Sequence, residues 1–140
     1  MARRKPGPSA EVAQPKPVDK GDEIRLASLE VTSLNAQQLS CDQTTDAELV
    51  RENAISVLET SDRIVKLRLT ERLFFRPEGP FKLDLDVTGT YVYPRPVKEE
   101  DIQPQSENLS APLLAYSSFI ISFITQQFGG VPIVLPPALS

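Results

Sequence analysis

Residues 63–93 read RIVKLRLTERLFFRPEGPFKLDLDVTGTYVY. In residues 63–76 and again in residues 81–93, apolar and polar side chains alternate, which is the period of strands that bury one face. Between the two runs, Pro77 and Gly79 are typical of a three-residue hairpin loop, with Gly79 at its left-handed position. This stretch therefore predicts an antiparallel hairpin.

The predicted loop also sets the register of the hairpin. On the apolar face, Leu73 is expected to lie opposite Leu83. On the polar face, Arg72 is expected opposite Asp84, and their charges are complementary. Both faces therefore agree with one register. Glu71 is the exception, because it falls on the apolar face; a bulge, a sheet edge or an interface would each accommodate it.

Weaker strand patterns precede the hairpin. Residues 24–34 alternate with a change of phase near Ala27 and Ser28, which predicts a strand that carries a bulge. Residues 35–48 are mostly polar and predict a loop. Residues 49–58 predict a second, weaker strand.

The C-terminal part is apolar, and no charged side chain follows Glu107. Residues 111–128 predict a helix. Ser110 can cap its start, its first turn tolerates Pro112, and Gly129-Gly130 can end it. Apolar side chains cover most of its circumference, so we expect one side to pack on the sheet and another in a subunit interface. A membrane span needs ~20 predominantly apolar residues. This segment is shorter and carries hydroxyl and amide groups, so we expect no membrane insertion.

The 13 prolines mark the ends and connections of the chain. Residues 1–21 predict a disordered, Pro-rich extension, which leaves residues 22–140 as one folded domain. Residues 131–140 are apolar and Pro-rich, so they are expected to pack as an extended arm and not as a helix or a central strand.

Composition argues against several classes of function. The formal net charge is −4, although residues 1–20 carry five basic and two acidic side chains. The remaining body is therefore acidic, which argues against nucleic acid as a partner. The chain has no histidine, and its one cysteine is Cys41. We therefore expect no internal disulfide, no Cys/His metal site, no cofactor and no enzyme activity. No signal-peptide pattern is present, so a cytoplasmic location is expected.

The aromatic and acidic side chains of the hairpin leave two questions open. Most aromatic side chains are expected in the core, but Phe74 falls on the polar face, where a partner contact and chance exposure are both possible. Asp84 and Asp86 share one face of a strand. They form either an ion-paired, solvated surface or an acidic docking surface.

The order of these elements resembles that of the SecB family of protein-export chaperones: a kinked strand, a weak strand, a strong hairpin, a long crossover, an uncharged helix and a Pro-rich arm. The stretches that carry the resemblance are IRLASLEVTSL (24–34), IVKLRLTERL (64–73), FKLDLDVTGTYVY (81–93), LLAYSSFIISFITQQFGG (113–130) and VPIVLPPAL (131–139).

The resemblance implies an α+β fold in which a long apolar helix packs on one face of a four-stranded antiparallel sheet. It also implies a homotetramer that holds unfolded polypeptides without ATP and delivers them for export to the SecA motor. The C-terminal helix and the zinc-binding tail of the family have no counterpart in the sequence, which is expected of a divergent or shortened member. A chaperone dedicated to one client in a toxin–antitoxin system is a variant of this hypothesis. A structural or assembly subunit that uses the helix only to form oligomers is the alternative.

Candidate site residues follow from the same resemblance. Acids on the exposed sheet face are candidates for docking SecA or another partner, and here they are Glu30, Asp84 and Asp86. The candidates for contact with clients are aromatic: Phe74, Tyr91, Tyr93, Tyr116, Phe119 and Phe123.

Overall fold

The computed structural model describes residues 23–39, 47–128 and 133–139. The predicted extension at residues 1–21, Cys41 and Gly129-Gly130 lie outside these ranges. The described elements are four strands and one α-helix, preceded by two short 3₁₀ turns at Glu99–Asp101 and Gln103–Gln105. Their bounds are β1 Arg25–Gln38, β2 Glu48–Ser61, β3 Ile64–Arg76, β4 Phe81–Val92 and α1 Ser106–Gln127.

The four strands form one antiparallel sheet in the order β1-β4-β3-β2. The β3–β4 hairpin has the predicted register, with Leu73 opposite Leu83 and Arg72 opposite Asp84. This confirms the predicted hairpin at the centre of the sheet, where both strands have neighbours on each side.

The hairpin loop differs from the prediction in one respect. Gly79 does not have the left-handed backbone that the loop type was expected to require. Glycine is needed there for space, because a Cβ atom at Gly79 would overlap the ring and Cβ of Phe75. That ring packs edge-on against Phe81, with 5.2 Å between the centroids. The hairpin end is therefore closed by aromatic packing under the loop.

Strand β1 carries the predicted bulge, since its register with β4 shifts between Leu26 and Ser28, and it shifts again between Val31 and Ser33. The predicted loop at residues 35–48 is wrong at both ends. Pairing with β4 continues as far as Gln38 opposite Phe81, and β2 already begins at Glu48. These polar residues form strand because β4 and β3 offer them backbone partners, which polarity alone does not reveal.

Helix α1 begins at Ser106, five residues before the predicted start at residue 111. The prediction that Ser110 caps the helix is wrong: Ser110 lies inside it, and its hydroxyl donates to the Glu107 carbonyl at 3.1 Å. The reason is packing, because helical residues ahead of Ser110 place Leu109 in the core. Pro112 therefore lies within the helix and not in its first turn.

The core lies between α1 and one face of the sheet, which confirms the expected fold class. Its centre is formed by side chains of β3 and β4 under the inner face of α1, where Gly89 lets Leu113 approach the sheet closely. The connection after β4 adds to it. The buried hydrophobic side chains are Val65, Leu67, Leu69, Leu73, Phe81, Leu83, Leu85, Val87, Tyr91, Tyr93, Val97, Ile102, Leu109, Leu113, Leu114 and Ile121.

The segment Glu99–Gln127 contains an 18-residue window with a mean hydropathy of 1.3, which by length and composition alone is enough to cross a membrane. Within this segment, Leu113 and Ile121 are fully buried against the sheet. Core packing therefore accounts for part of its apolar character, since 39% of that window is buried.

Candidate functional site

The helix-facing side of the sheet contains a buried carboxylate. The Glu71 side chain has 0% exposure. Its Oε1 accepts from Arg51 Nε at 2.9 Å and from Asn53 Nδ2 at 3.1 Å, and its Oε2 accepts from Arg51 Nη2 at 2.7 Å and from Ser117 Oγ at 2.6 Å. The charge is paired, and each oxygen has two donors, as burial of a carboxylate requires. This Glu71 cluster joins β2, β3 and α1.

The Glu71 cluster explains the exception in the hairpin pattern. Glu71 lies in the middle of β3, at neither a bulge nor a sheet edge. Its partners Arg51 and Asn53 lie on the same face of β2, beside it in the sheet. Neither residue was predicted from the sequence as part of a site. The sequence does contain a sign of their role: Arg51 and Asn53 interrupt the apolar face of β2, just as Glu71 interrupts the apolar face of β3.

A first apolar cleft lies on the β2 side of α1. It has a volume of about 290 Å³. Strand side chains of Ile55, Val57 and Leu67 meet Ile102 from the connection before the helix, and Leu139, near the end of the chain, also lines the cleft. We call this the β2 cleft. Its lining suits an apolar side chain of a bound peptide.

A second cleft lies beside the first turns of α1, at the β1 edge. It has a volume of about 400 Å³ and includes Leu26, Tyr91, Leu109 and Pro112 in its lining. Leu26 is partly open to solvent there, as are Val31 and Leu34 farther along β1. Apolar side chains are thus exposed along much of the β1 edge.

The outer face of α1 carries two solvent-exposed aromatic rings. Phe119 is 65% exposed and Phe123 is 54% exposed. They are four residues apart, one helical turn, and therefore share one face of the helix. Ala115 continues this exposed face toward the N-terminus. Exposed neighbouring aromatic side chains indicate a contact surface.

The six aromatic candidates for client contact do not form one site. Phe119 and Phe123 share the outer face of α1, and Tyr116 is partly buried against the core. Tyr91 and Tyr93 are buried on the helix-facing side of the sheet. Tyr91 donates its hydroxyl hydrogen to the Leu109 carbonyl.

Burial also affects the ionisation of these two tyrosines. Burial, and to a lesser extent the neighbouring Tyr93, raises the pKa of Tyr91 to about 12. Burial, followed by the nearby Asp101 carboxylate, raises the pKa of Tyr93. Both phenols are therefore held in the neutral form by their surroundings.

Phe74, the remaining aromatic candidate, lies on the opposite, helix-free face of the sheet. The Arg72 and Arg76 guanidinium carbons are 5.8 and 5.3 Å from the centroid of its ring. These contacts are cation–π in geometry. The ring is partly covered by its own strand and is only half-buried.

The acidic candidates Glu30, Asp84 and Asp86 lie together on this helix-free face. Glu30 pairs with Thr88 across the β1–β4 ladder, beside Asp86 and Asp84 in alternate positions of β4. Asp84 forms an ion pair with Arg72 at 3.2 Å. The face therefore carries both signs of charge, and its acids lie on both sides of the basic residues, since Glu52 of β2 also pairs with Arg72, at 3.8 Å.

No protein-family model matches the sequence, and no curated protein sequence matches it. Solved structures do match the fold. The chain has the fold of SecB-like proteins, a four-stranded antiparallel sheet with a long helix on one face. It is similar to the Mycobacterium tuberculosis SecB-like chaperone Rv1957, solved in complex with a ChAD peptide from the antitoxin Rv1956 HigA1. The TM-score is 0.67 and the identity 12%, over 81% of this chain and 89% of that chain.

It is also similar to a protein of unknown function from Streptococcus agalactiae. The TM-score is 0.54 and the identity 14%, over 81% of this chain and 97% of that chain. At these identities, the likeness shows the fold and does not by itself show the function.

Proposed function

We propose that this protein is an ATP-independent, SecB-like chaperone that binds unfolded polypeptide segments. The observation that carries the proposal is the surface left open around α1: an apolar cleft on the β2 side, a cleft of mixed polar and apolar lining at the β1 edge, and two exposed phenyl rings on the outer face. Soluble monomers rarely expose so much neighbouring apolar surface without a use. The likeness to a SecB-like chaperone solved with an antitoxin peptide supports the same proposal.

The outer face of α1 is proposed as the surface for self-association. Phe119 and Phe123 would each meet the same surface of a second copy, as a two-fold contact requires. A tetramer, as in the SecB family, would cover these rings and leave the clefts beside the helix for clients. Light scattering of the purified protein tests this assignment, and a monomer at micromolar concentration contradicts it.

The clefts are proposed as the surface for clients. An apolar client side chain would enter the β2 cleft between Val57 and Ile102. The experiment measures how the protein suppresses aggregation of a chemically unfolded client without nucleotide. Val57→Thr adds a hydroxyl group to the cleft at constant volume, and severalfold weaker suppression is expected. Val50→Thr, on the opposite face of the same strand, is the matched control. No suppression by the unmodified protein would reject the proposal.

We further propose that the protein is not an enzyme and acts in the cytoplasm, where its clients are preproteins for export or one dedicated antitoxin-like chain. In the export variant, Glu30, Asp84 and Asp86 would dock SecA through their carboxylates. Binding of purified SecA by the unmodified protein, weakened in Asp86→Asn and restored at low ionic strength, supports this variant. No binding at low ionic strength counts against it and favours a dedicated client.

A second candidate function is that of an assembly subunit. The bare rings of Phe119 and Phe123 favour it, because oligomer contacts alone would account for them. The two functions differ in one measurement. A stable oligomer that binds no unfolded chain supports the assembly subunit, and an oligomer that binds such chains supports the chaperone.

A further inference from the structure

Residues 133–139, which we call the C-terminal segment, are seated on the helix-facing side of the sheet. The Ile133 amide donates to Thr125 Oγ1 of α1 at 2.9 Å. Ile133 and Leu135 are partly buried against the core, whereas Val134 between them is 80% exposed. The segment therefore presents alternate side chains to the domain, as a bound peptide does.

Two side chains of β2 hold the main chain of this segment. Arg51 Nη1 donates to the Pro136 carbonyl at 2.6 Å, and Asn53 Nδ2 donates to the Ala138 carbonyl at 3.1 Å. Pro136 and Pro137 have no N–H group, so this part of the segment cannot form a regular strand ladder with β2. Side-chain donors take the place of backbone donors here.

The Glu71 cluster orients these two donor side chains, Arg51 and Asn53. Glu71 binds Arg51 through two hydrogen bonds and Asn53 through one, which fixes the direction of their remaining N–H groups. Because the Arg51 charge is already paired with a buried carboxylate, the free edge of the guanidinium suits a neutral carbonyl oxygen better than a second anion. The site therefore favours a neutral carbonyl oxygen over an anion.

The C-terminal segment also reaches the β2 cleft. Leu139 lines that cleft together with Ile55, Val57 and Ile102. A peptide that entered the cleft would meet Leu139 at its wall, and one that used Arg51 and Asn53 would meet Pro136 and Ala138. The segment thus lies across the surface proposed for clients.

We propose that Arg51 and Asn53 form a carbonyl-binding site for proline-containing peptide segments. In the unliganded chain, the site is filled by the protein's own C-terminal segment, and a client must displace it. This inference rests on the proposed chaperone function and adds the class of client segment that the β2 side takes. Because the C-terminal segment is tethered to the site, it competes at an effective concentration on the order of mM. It therefore excludes weakly binding clients, and only clients that bind tightly enough displace it.

The experiment compares two matched substitutions in the segment, using a fluorescent peptide of residues 133–139 (IVLPPAL) as the probe. Leu135→Ser removes a side chain that anchors the segment, and Val134→Ser changes the exposed neighbour. The probe is expected to bind Leu135→Ser about tenfold or more tightly than the unmodified protein, because the site is then vacant more often. Val134→Ser is expected to bind the probe with the same affinity as the unmodified protein. A peptide with both prolines replaced by alanine (IVLAAAL) is expected to bind Leu135→Ser more weakly.

Equal affinity of the probe for the two variants would overturn the displacement, and equal binding of the two peptides would overturn the proline class. Circular dichroism checks whether Leu135→Ser is folded. If it is not, Thr125→Val replaces it, since this change removes the acceptor for the Ile133 amide at constant volume. Aggregation of an unfolded client is measured on the same proteins. A released variant that binds the probe tightly but suppresses no aggregation counts against the proposed function alone.

Discussion

Replacing Arg51 by methionine is expected to destabilise the fold strongly, because it leaves the Glu71 carboxylate buried without its countercharge. Arg51 supplies two of the four hydrogen bonds to Glu71, at 2.9 and 2.7 Å. The Glu71 side chain has 0% exposure and Arg51 has 12%, so water has little access to replace them. A hydrogen bond to a charged group contributes ~1.5–3 kcal/mol. The expected loss is therefore roughly 3–5 kcal/mol, which is also the range for breaking a buried ion pair.

Arg72→Met is the matched control. Arg72 donates to Asp84 at 3.2 Å and also pairs with Glu52 at 3.8 Å, and the Arg72 side chain is 59% exposed and each carboxylate side chain 50% exposed. Water and salt screen such a pair, so its loss is expected to cost only ~0–1 kcal/mol. The same substitution thus tests a buried pair and an exposed pair in one sheet.

The assay is urea unfolding followed by circular dichroism, with every variant at one protein concentration, because self-association adds to apparent stability. A double variant, Arg51→Met with Glu71→Leu, is expected to recover a large part of the loss, since no buried charge remains unpaired. If Arg51→Met costs no more than Arg72→Met, then Glu71 is solvated and the Glu71 cluster does not stabilise the fold as described.

Three further predictions concern the loop, the tyrosines and the helix. Gly79→Ala is expected to lower the melting temperature, because the added Cβ overlaps Phe75 and overpacking costs ~1–3 kcal/mol; an unchanged or raised melting temperature contradicts this. With the pKa of Tyr91 raised to about 12, the unfolded chain loses this proton near pH ~10 while the folded chain keeps it. The urea midpoint should therefore fall as the pH rises from about 10 to 12, and less steeply in Tyr91→Phe; identical slopes refute this assignment. Phe119→Asp combined with Phe123→Asp is expected to yield monomers in light scattering, and an unchanged oligomer would place the interface elsewhere.

The sequence alone predicted the hairpin, its register and the bulge in β1. These features depend on neighbours along the chain, where period-two alternation, a Pro-Glu-Gly loop and complementary charges act over short distances. The order of elements predicted the SecB-like fold, which the structure and its likeness to Rv1957 confirm. The helix was predicted with its start misplaced, because burial of Leu109 extends it beyond the local capping signal.

The candidate site was less predictable. The sequence marked Glu71 as an exception, but its partners are 20 and 46 positions away in the chain. The Pro-rich end was predicted to pack as an arm. The side chain that binds its Pro136 carbonyl, however, is Arg51, 85 positions earlier in the chain. Local patterns tell which face of a strand a side chain occupies. Which groups then meet across the core depends on how the sheet, the helix and the C-terminal segment pack together, and only the tertiary structure decides that.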